Sequence, residues 1–266
     1  MDPRIIEIES LDAWLQTPPG QYLLAWEQTQ LDRVVADLFG FHALQLGMPM
    51  IEGLRHNRMP HRWVGSDVVV PGRTDLLLDP TALPFEDNAL DLVVLPHTLE
   101  LSHDPHATLR EVHRVLVPEG KIVICGFNPT SLWGFRQRRA HWYQRLGVER
   151  WFLPQAGEFI GYWRLRDWLR LLGMEVQGGR FGCYRPAVQS SQWLERFAWM
   201  DAAGDRWWPI LGAVYLLVAT KRVHGMRLIE PGWRAARASR VTAVTTVSSG
   251  RVASPHDKTI SGSTRP

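Results

Sequence analysis

Two short apolar runs, Ala89–Leu95 and Lys121–Cys125, frame a helical pattern, and no other stretch limits the fold of this chain as tightly. Each run has the length of a fully buried strand. Between them Leu109, Val112, Val115 and Leu116 recur at i, i+3, i+6 and i+7. Pro118, Glu119 and Gly120 then predict the helix stop and the turn into the second run. Strand, helix and strand at this spacing make a βαβ unit, so the two strands are expected to be parallel neighbours in a buried sheet.

Several spaced pieces of the same stretch carry a resemblance. Asp79 ends a strand, Leu83-Pro84-Phe85 makes a turn, Leu90-Asp91 opens the next strand, and Asp104-Pro105 starts a helix. Residues Leu109–Gly120 then read LREVHRVLVPEG. In this order the pieces resemble the second half of the class I S-adenosylmethionine-dependent methyltransferase domain, of the methyltransferase type 11 group acting on small molecules and lipids. Glu119 replaces the first of two glycines. The resemblance implies an α/β fold: a Rossmann-like seven-stranded methyltransferase sheet with an N-terminal helical arm and a helical cap after strand five. It also implies S-adenosyl-L-methionine as cofactor.

Apolar residues make up 45% of the 266, enough for one α/β domain of about 200 residues with appendages. A disordered or fibrous chain is excluded. The two cysteines, Cys125 and Cys183, form no CxxC pair, which excludes a disulfide framework and a zinc ribbon and suits a reducing cytosol. The start MDPRIIEIES lacks a basic-then-apolar signal pattern. The longest apolar run, 14 residues from Trp207 to Thr220, is too short to span a bilayer. A cytoplasmic location is expected. The net charge of +3 leaves two readings, a solvated basic surface or an anionic partner such as nucleic acid or a membrane.

Three regions are expected: a helical arm over 1–40, a methyltransferase-like domain over 41–222 with its cap at about 130–170, and a disordered basic tail over 223–266. In the arm, Pro18, Pro19 and Gly20 break the pattern, after which Tyr22, Leu23, Trp26, Leu31, Val34, Val35 and Leu38 recur at helical spacing. It either covers a cofactor pocket or packs on the sheet edge.

His42–Gly47 is the expected first strand. Here the resemblance places an acid followed by a glycine-rich loop that approaches the methionine part of the cofactor. Aligned on it, Gln45 stands at the acid, Gly47 at the first glycine, Pro49 at the second and Ile51 at the third. Pro49 has no N–H to donate, and Ile51 does not readily take φ > 0. Gly53 lies two residues late. The departures set a second reading beside methyl transfer: a catalytically inactive methyltransferase-fold regulatory or scaffold protein.

Arg62–Asp67 suits a second strand, and Asp67 follows Gly47 by 20 residues (67 − 47), the span of a short strand–helix–strand step. The resemblance implies that Asp67 accepts the ribose hydroxyls; a turn aspartate is the other reading. Only 12 residues (79 − 67) separate Asp67 from Asp79, so the next crossover is a loop or a single turn, and Thr74–Leu78 is the third strand. At Asp79 the resemblance implies an acceptor for the adenine amino group, which a base presenting a carbonyl would not satisfy. An N-cap or turn role before Pro80 is the alternative. Thr81, Ala82, Leu83 and Pro96, with Gln45 and Gly47, complete the expected cofactor contacts.

After the fourth strand, His97 and Glu100 are the candidate catalytic groups, as proton acceptors or substrate-orienting residues, with His103 second. A packed or hydrogen-bonded His97 is the other reading. The gaps of 6 and 3 residues among His97, His103 and His106 match no zinc signature, so no metal is expected. Methyl transfer often needs no base, because alignment supplies much of the rate. Asn128, Trp133 and Arg136 are the expected substrate contacts, at the start of a Trp- and Arg-rich stretch over 130–168. Such a stretch serves as a plain helical cap, stacks on a flat ring, holds an anion or lies at a membrane interface. Single-stranded nucleic acid also fits, but no RNA-binding appendage accompanies it. Tyr162–Gly173 reads as a helix, Met174–Cys183 and Ala213–Thr220 as an antiparallel pair, and Pro186–Trp208 as a helical connection. The expected activity is methyl transfer to a small-molecule acceptor, aromatic or lipid-like, with peripheral membrane contact as a further partner reading.

Overall fold

A computed structural model describes residues 11–144, 152–153 and 159–222. The basic segment from residue 223, the first ten residues of the arm and most of 145–158 lie outside the described residues. Seven strands form one sheet: β1 His42–Leu46, β2 His61–Ser66, β3 Leu76–Leu77, β4 Leu90–Pro96, β5 Leu116–Phe127, β6 Met174–Gly182 and β7 Val214–Lys221. Their order is β3-β2-β1-β4-β5-β7-β6. The first five are parallel, and β7 runs antiparallel to both β5 and β6. This is the seven-stranded, Rossmann-like sheet that the resemblance implies, and β4 and β5 are the parallel neighbours that the βαβ spacing predicts.

The apolar run of β4 serves two cores at once. Leu92 and Val94 face one side, with Leu23, Leu31 and Val35 of helix α1 (Pro18–Ala36). Val93 and Leu95 face the other, with Leu109, Val112 and Val115 of α3 (Pro105–Val115) and Leu165 and Leu169 of α5 (Tyr162–Leu171). Burial on both faces is why the strand reads as a continuous apolar run rather than an alternating one.

The prolines in the arm begin a helix. Thr17 is the N-cap of α1 and Pro18 its first residue, where a missing N–H costs nothing. The next helical piece after β4 is a single turn, α2 (Thr98–Leu101), followed by α3, whose cap Asp104 accepts from the Ala107 N–H at 2.9 Å. Helix α3 stops at Val115, three residues before Pro118. Pro118–Gly120 therefore does not turn the chain between two elements; it makes an irregularity inside β5, between the pairings Leu90–Leu116 and Leu92–Lys121, with Glu119 at φ 65°. An extra length of chain within one strand is the signature of a bulge.

The expected helix between β1 and β2 is absent. Residues 47–60 make only turns. Gly47, Pro49, Gly53 and Pro60 punctuate the segment too closely for a helix of ordinary length. Its Met48, Ile51, Leu54 and Met59 side chains fill the core that a helix would have covered. The β2–β3 crossover is short, as its spacing requires. After β5 come α4 (Leu132–Gln144) and α5, and between β6 and β7 lie α6 (Ser191–Arg196), α7 (Trp199–Trp207) and a 3-10 turn over Pro209–Leu211.

Candidate active site

Four strand ends meet at one cleft. Gly47 follows β1, Asp67 follows β2, Asp79 follows β3, and Thr98 follows β4; all four line it, with Met48 and Ser102 among their neighbours. In open α/β sheets ligands bind beyond these carboxyl ends. Gly47 takes φ +73°, a left-handed conformation that glycine adopts without penalty, and a Cβ there would lie 3.1 Å from Thr98 Oγ1. Its N–H donates to the Gly65 carbonyl at 2.7 Å, fixing the turn out of β1 against β2. The Thr98 hydroxyl donates to the Leu46 carbonyl.

The loop after β1 is closed by Gln45. Its fully buried amide donates to the carbonyls of Ile51 at 2.7 Å, Met48 at 3.1 Å and Gly47 at 3.3 Å. Its oxygen accepts from the Gly53 N–H at 2.9 Å. Three carbonyls and one N–H around a single side chain leave one orientation for the amide. Gly53, two residues beyond the expected glycine position, is the close-approach residue: a Cβ would sit 2.8 Å from Gln45 Oε1. Gln45 thus organises the loop from inside the core and does not line the cleft.

On the other side of the cleft Asp79 is exposed, and its Oδ1 accepts from the Thr81 N–H at 2.8 Å and hydroxyl at 2.7 Å. The Ala82 N–H donates to the Asp79 carbonyl at 3.0 Å. Leu83 is turned into the core, and its N–H donates to Glu111 Oε2 at 3.1 Å. Arg114 donates to the carbonyls of Leu83 at 3.0 Å and Phe85 at 2.9 Å while pairing with Glu111 at 2.8 Å. So the Leu-Pro-Phe turn and the Glu-x-x-Arg of α3 are one device: the helix clamps the turn that follows Asp79. Hydrogen bonding to Arg114 also holds the Glu111 carboxyl below its ordinary pKa. Pro96, buried in β4 opposite Cys125, is not among the cleft residues.

His97 sits between two carboxylates. Nε2 lies 2.9 Å from Glu27 Oε1 and Nδ1 2.8 Å from Glu100 Oε2, with all three side chains out of solvent. Burial pulls the imidazole pKa down, but the Glu27 charge and hydrogen bonds to both carboxylates outweigh it and raise it to about 10. With both ring nitrogens donating, His97 is an imidazolium with no lone pair to accept a proton. Burial raises the pKa of Glu100 above its ordinary value, and its second oxygen accepts the Phe127 N–H at 2.6 Å. Glu27, from α1, is not among the expected site residues. Its signal is positional: an acid at i+4 on the stripe defined by Leu23 and Leu31.

The three expected acceptor contacts are engaged elsewhere. Asn128 donates to the carbonyls of Ile210 at 2.8 Å and Gly212 at 2.9 Å. Trp133 is buried edge-on to Trp14 and Phe152 and donates to the Arg185 carbonyl at 2.8 Å. Arg136 donates to the Ala187 carbonyl and lies over the Phe152 ring. Together they bind the chain after β5 to the β6–β7 insertion. His103, by contrast, lies exposed on the cleft. Among the described residues there is no group of three or more His, Cys, Asp or Glu side chains suited to a metal ion, and no helix long and apolar enough to cross a membrane.

Comparison with known proteins bears on the same region. Residues 62–124 match the family described as a methyltransferase domain. Over 219 residues the chain is 32% identical to the uncharacterized protein YafS of Escherichia coli, an alignment spanning 82% of this chain and 83% of that one. A demethylmenaquinone methyltransferase of Renibacterium salmoninarum is 29% identical over 119 residues, 39% of this chain and 50% of the relative. Among solved structures, an S-adenosylmethionine-dependent methyltransferase of Thermotoga maritima superposes with a TM-score of 0.54 at 15% identity, covering 79% of this chain and 94% of that one. The Haloferax volcanii complex of a methyltransferase with the Trm112 methyltransferase activator gives 0.53 at 16%, covering 82% and 98%. At such identities the structural likeness is one of fold.

Proposed function

Because the chain belongs to the class I S-adenosylmethionine-dependent methyltransferases, we propose that it methylates a small aromatic or lipid-like acceptor at the cleft where β1 to β4 end. The observation that carries this is the meeting of Gly47, Asp67 and Asp79 on one cleft. The donor set suits the cofactor: two carboxylates for a nucleoside's hydroxyl and amino donors, and a left-handed glycine whose missing Cβ leaves room beside Thr98. S-adenosylmethionine, when bound, supplies a methyl group already activated on a sulfonium.

The residues then have distinct tasks. Asp67 accepts from the ribose hydroxyls and Asp79 from the adenine amino group, with Thr81 and Ala82 fixing the Asp79 turn. Gly47 lets the backbone approach the methionine end. The imidazolium of His97 does not take a proton; it anchors α1 beside Thr98. Alignment of acceptor and methyl group then supplies much of the rate. His103, at the rim, is the cleft side chain with a ring nitrogen for a proton leaving an O–H or N–H acceptor. The partial match to a demethylmenaquinone methyltransferase supports a quinone-like acceptor.

Calorimetric titration of the full chain with S-adenosylmethionine and S-adenosylhomocysteine tests the cofactor assignment. Binding in about the micromolar range is expected. Asp67→Ala and Asp79→Ala should each weaken it by roughly ten- to a hundredfold, the worth of a hydrogen bond to a charged group. Folded protein that binds neither ligand would instead support the inactive, scaffold-type reading.

A further inference from the structure

Large apolar side chains are exposed on two segments that hydrogen bonds join. In the β6–β7 insertion Trp193 is 52% exposed, Trp199 61%, Trp207 75% and Ile210 51%; in α4 Leu132 is 51% and Phe135 60% exposed. A single exposed hydrophobic is ordinary, but six large ones on two linked segments mark a surface that meets something.

Topology places both segments at the end of the sheet where the cleft opens. Val214 pairs with both Phe127 and Gly182, so the insertion leaves and rejoins the sheet at the end where β5 finishes. That is also the end of β1 and β4, where the cleft opens. Two links draw the pieces together: the Asn128 amide holds the Ile210 and Gly212 carbonyls, and the Trp133 indole holds the Arg185 carbonyl.

Charge selects the occupant. The α4 sequence LWGFRQRRAHWYQ carries three arginines and no acid, and Arg136, Arg138 and Arg139 are all exposed. In the insertion Asp201 is matched by Arg185 at 2.8 Å, and Glu195 and Asp205 are balanced in number by Arg196 and Arg206. The face is thus rich in indole, flanked by guanidinium and without net negative charge. Indoles settle where an apolar body and a polar N–H are both satisfied, at the headgroup level of a bilayer, and juxtamembrane arginines are drawn to anionic lipids.

We propose that this face docks the protein on an anionic phospholipid bilayer, with the cleft at the same end of the sheet. Docking stands independently of methyl transfer; the corollary that an apolar acceptor is taken from the membrane rests on the reading above.

The test is co-sedimentation of the full chain with vesicles of phosphatidylcholine alone and with phosphatidylglycerol added, at low and high salt. Preferential, salt-sensitive binding to the anionic vesicles is expected. The double variant Trp199→Ser/Trp207→Ser should lower the partition at least about tenfold, and Arg138→Ala about fivefold. Both should keep the thermal midpoint and cofactor affinity of the parent. Absence of vesicle binding overturns the proposal. So does binding undiminished in the variants, which would assign it to cations elsewhere, or a soluble dimer dispersed by the tryptophan substitutions without lipid binding.

Discussion

At position 45 an amide does what a carboxylate could not. Three carbonyl oxygens face its nitrogen, and an acid there would set lone pair against lone pair in a fully buried site. Gln45→Glu should therefore destabilise the fold by about 1–3 kcal/mol or more in urea unfolding, and should lower cofactor affinity instead of improving it. An increase in stability would overturn this account of the loop. From sequence, Gln45 reads as a lost acid, because the pattern shows the missing carboxylate and not the carbonyls folded around its replacement. Glu27 was harder still, since its partner His97 lies 70 residues away (97 − 27). The cluster it completes also has a pH signature. His97 rises from an ordinary 6.5 to about 10 on folding, so its contribution is complete below pH 6.5 and is lost as the pH climbs through 10. Glu100 is raised as well, which adds a loss in the same direction. The thermal midpoint should fall between neutrality and about pH 10, and His97→Asn should flatten that slope. A parent profile already flat over the range would rule out the buried imidazolium.

Among the elements, strands were legible wherever an apolar run was buried on both faces, as in β4 and the second half of β5. The crossover between β1 and β2 was not. Segment 47–60 spans the distance of a helical step, yet its chain is spent on Gln45, on turns and on Asn57, whose amide donates to the Val35 carbonyl at 2.8 Å and the Leu38 carbonyl at 3.2 Å at the end of α1. Those uses depend on contacts across the fold that spacing does not record. The α3 clamp was legible as a pattern but not as a mechanism. It predicts that Arg114→Ala frees the Leu83–Phe85 turn, costing about 1–3 kcal/mol for two carbonyls and a carboxylate left without their donor. Because Asp79 leads into that turn, cofactor affinity should fall even though Arg114 is not among the cleft residues. Unchanged affinity in a destabilised variant would separate the clamp from the site.

On the scale of the molecule, the last strand is the joint of the sheet. β7 lies between β5 and β6, and its Lys221 ammonium donates to the carbonyls of His113 at 2.8 Å and Leu116 at 2.7 Å and to Asn88 Oδ1 at 2.9 Å. A cation at the end of α3 meets the helix's unsatisfied carbonyls, so the final strand also seals the junction of the first βαβ unit. That arrangement sets a timetable for synthesis. Between Phe127 and Val214 the ribosome must add 87 residues (214 − 127), which takes roughly 4 to 17 seconds at ordinary elongation rates. Through that interval the nascent chain carries β5 with an unpaired edge, open to any other strand that reaches it. Growing chains on one message are each other's nearest candidates. The protein's most exposed moment therefore comes before it is finished, and a slower ribosome would lengthen it.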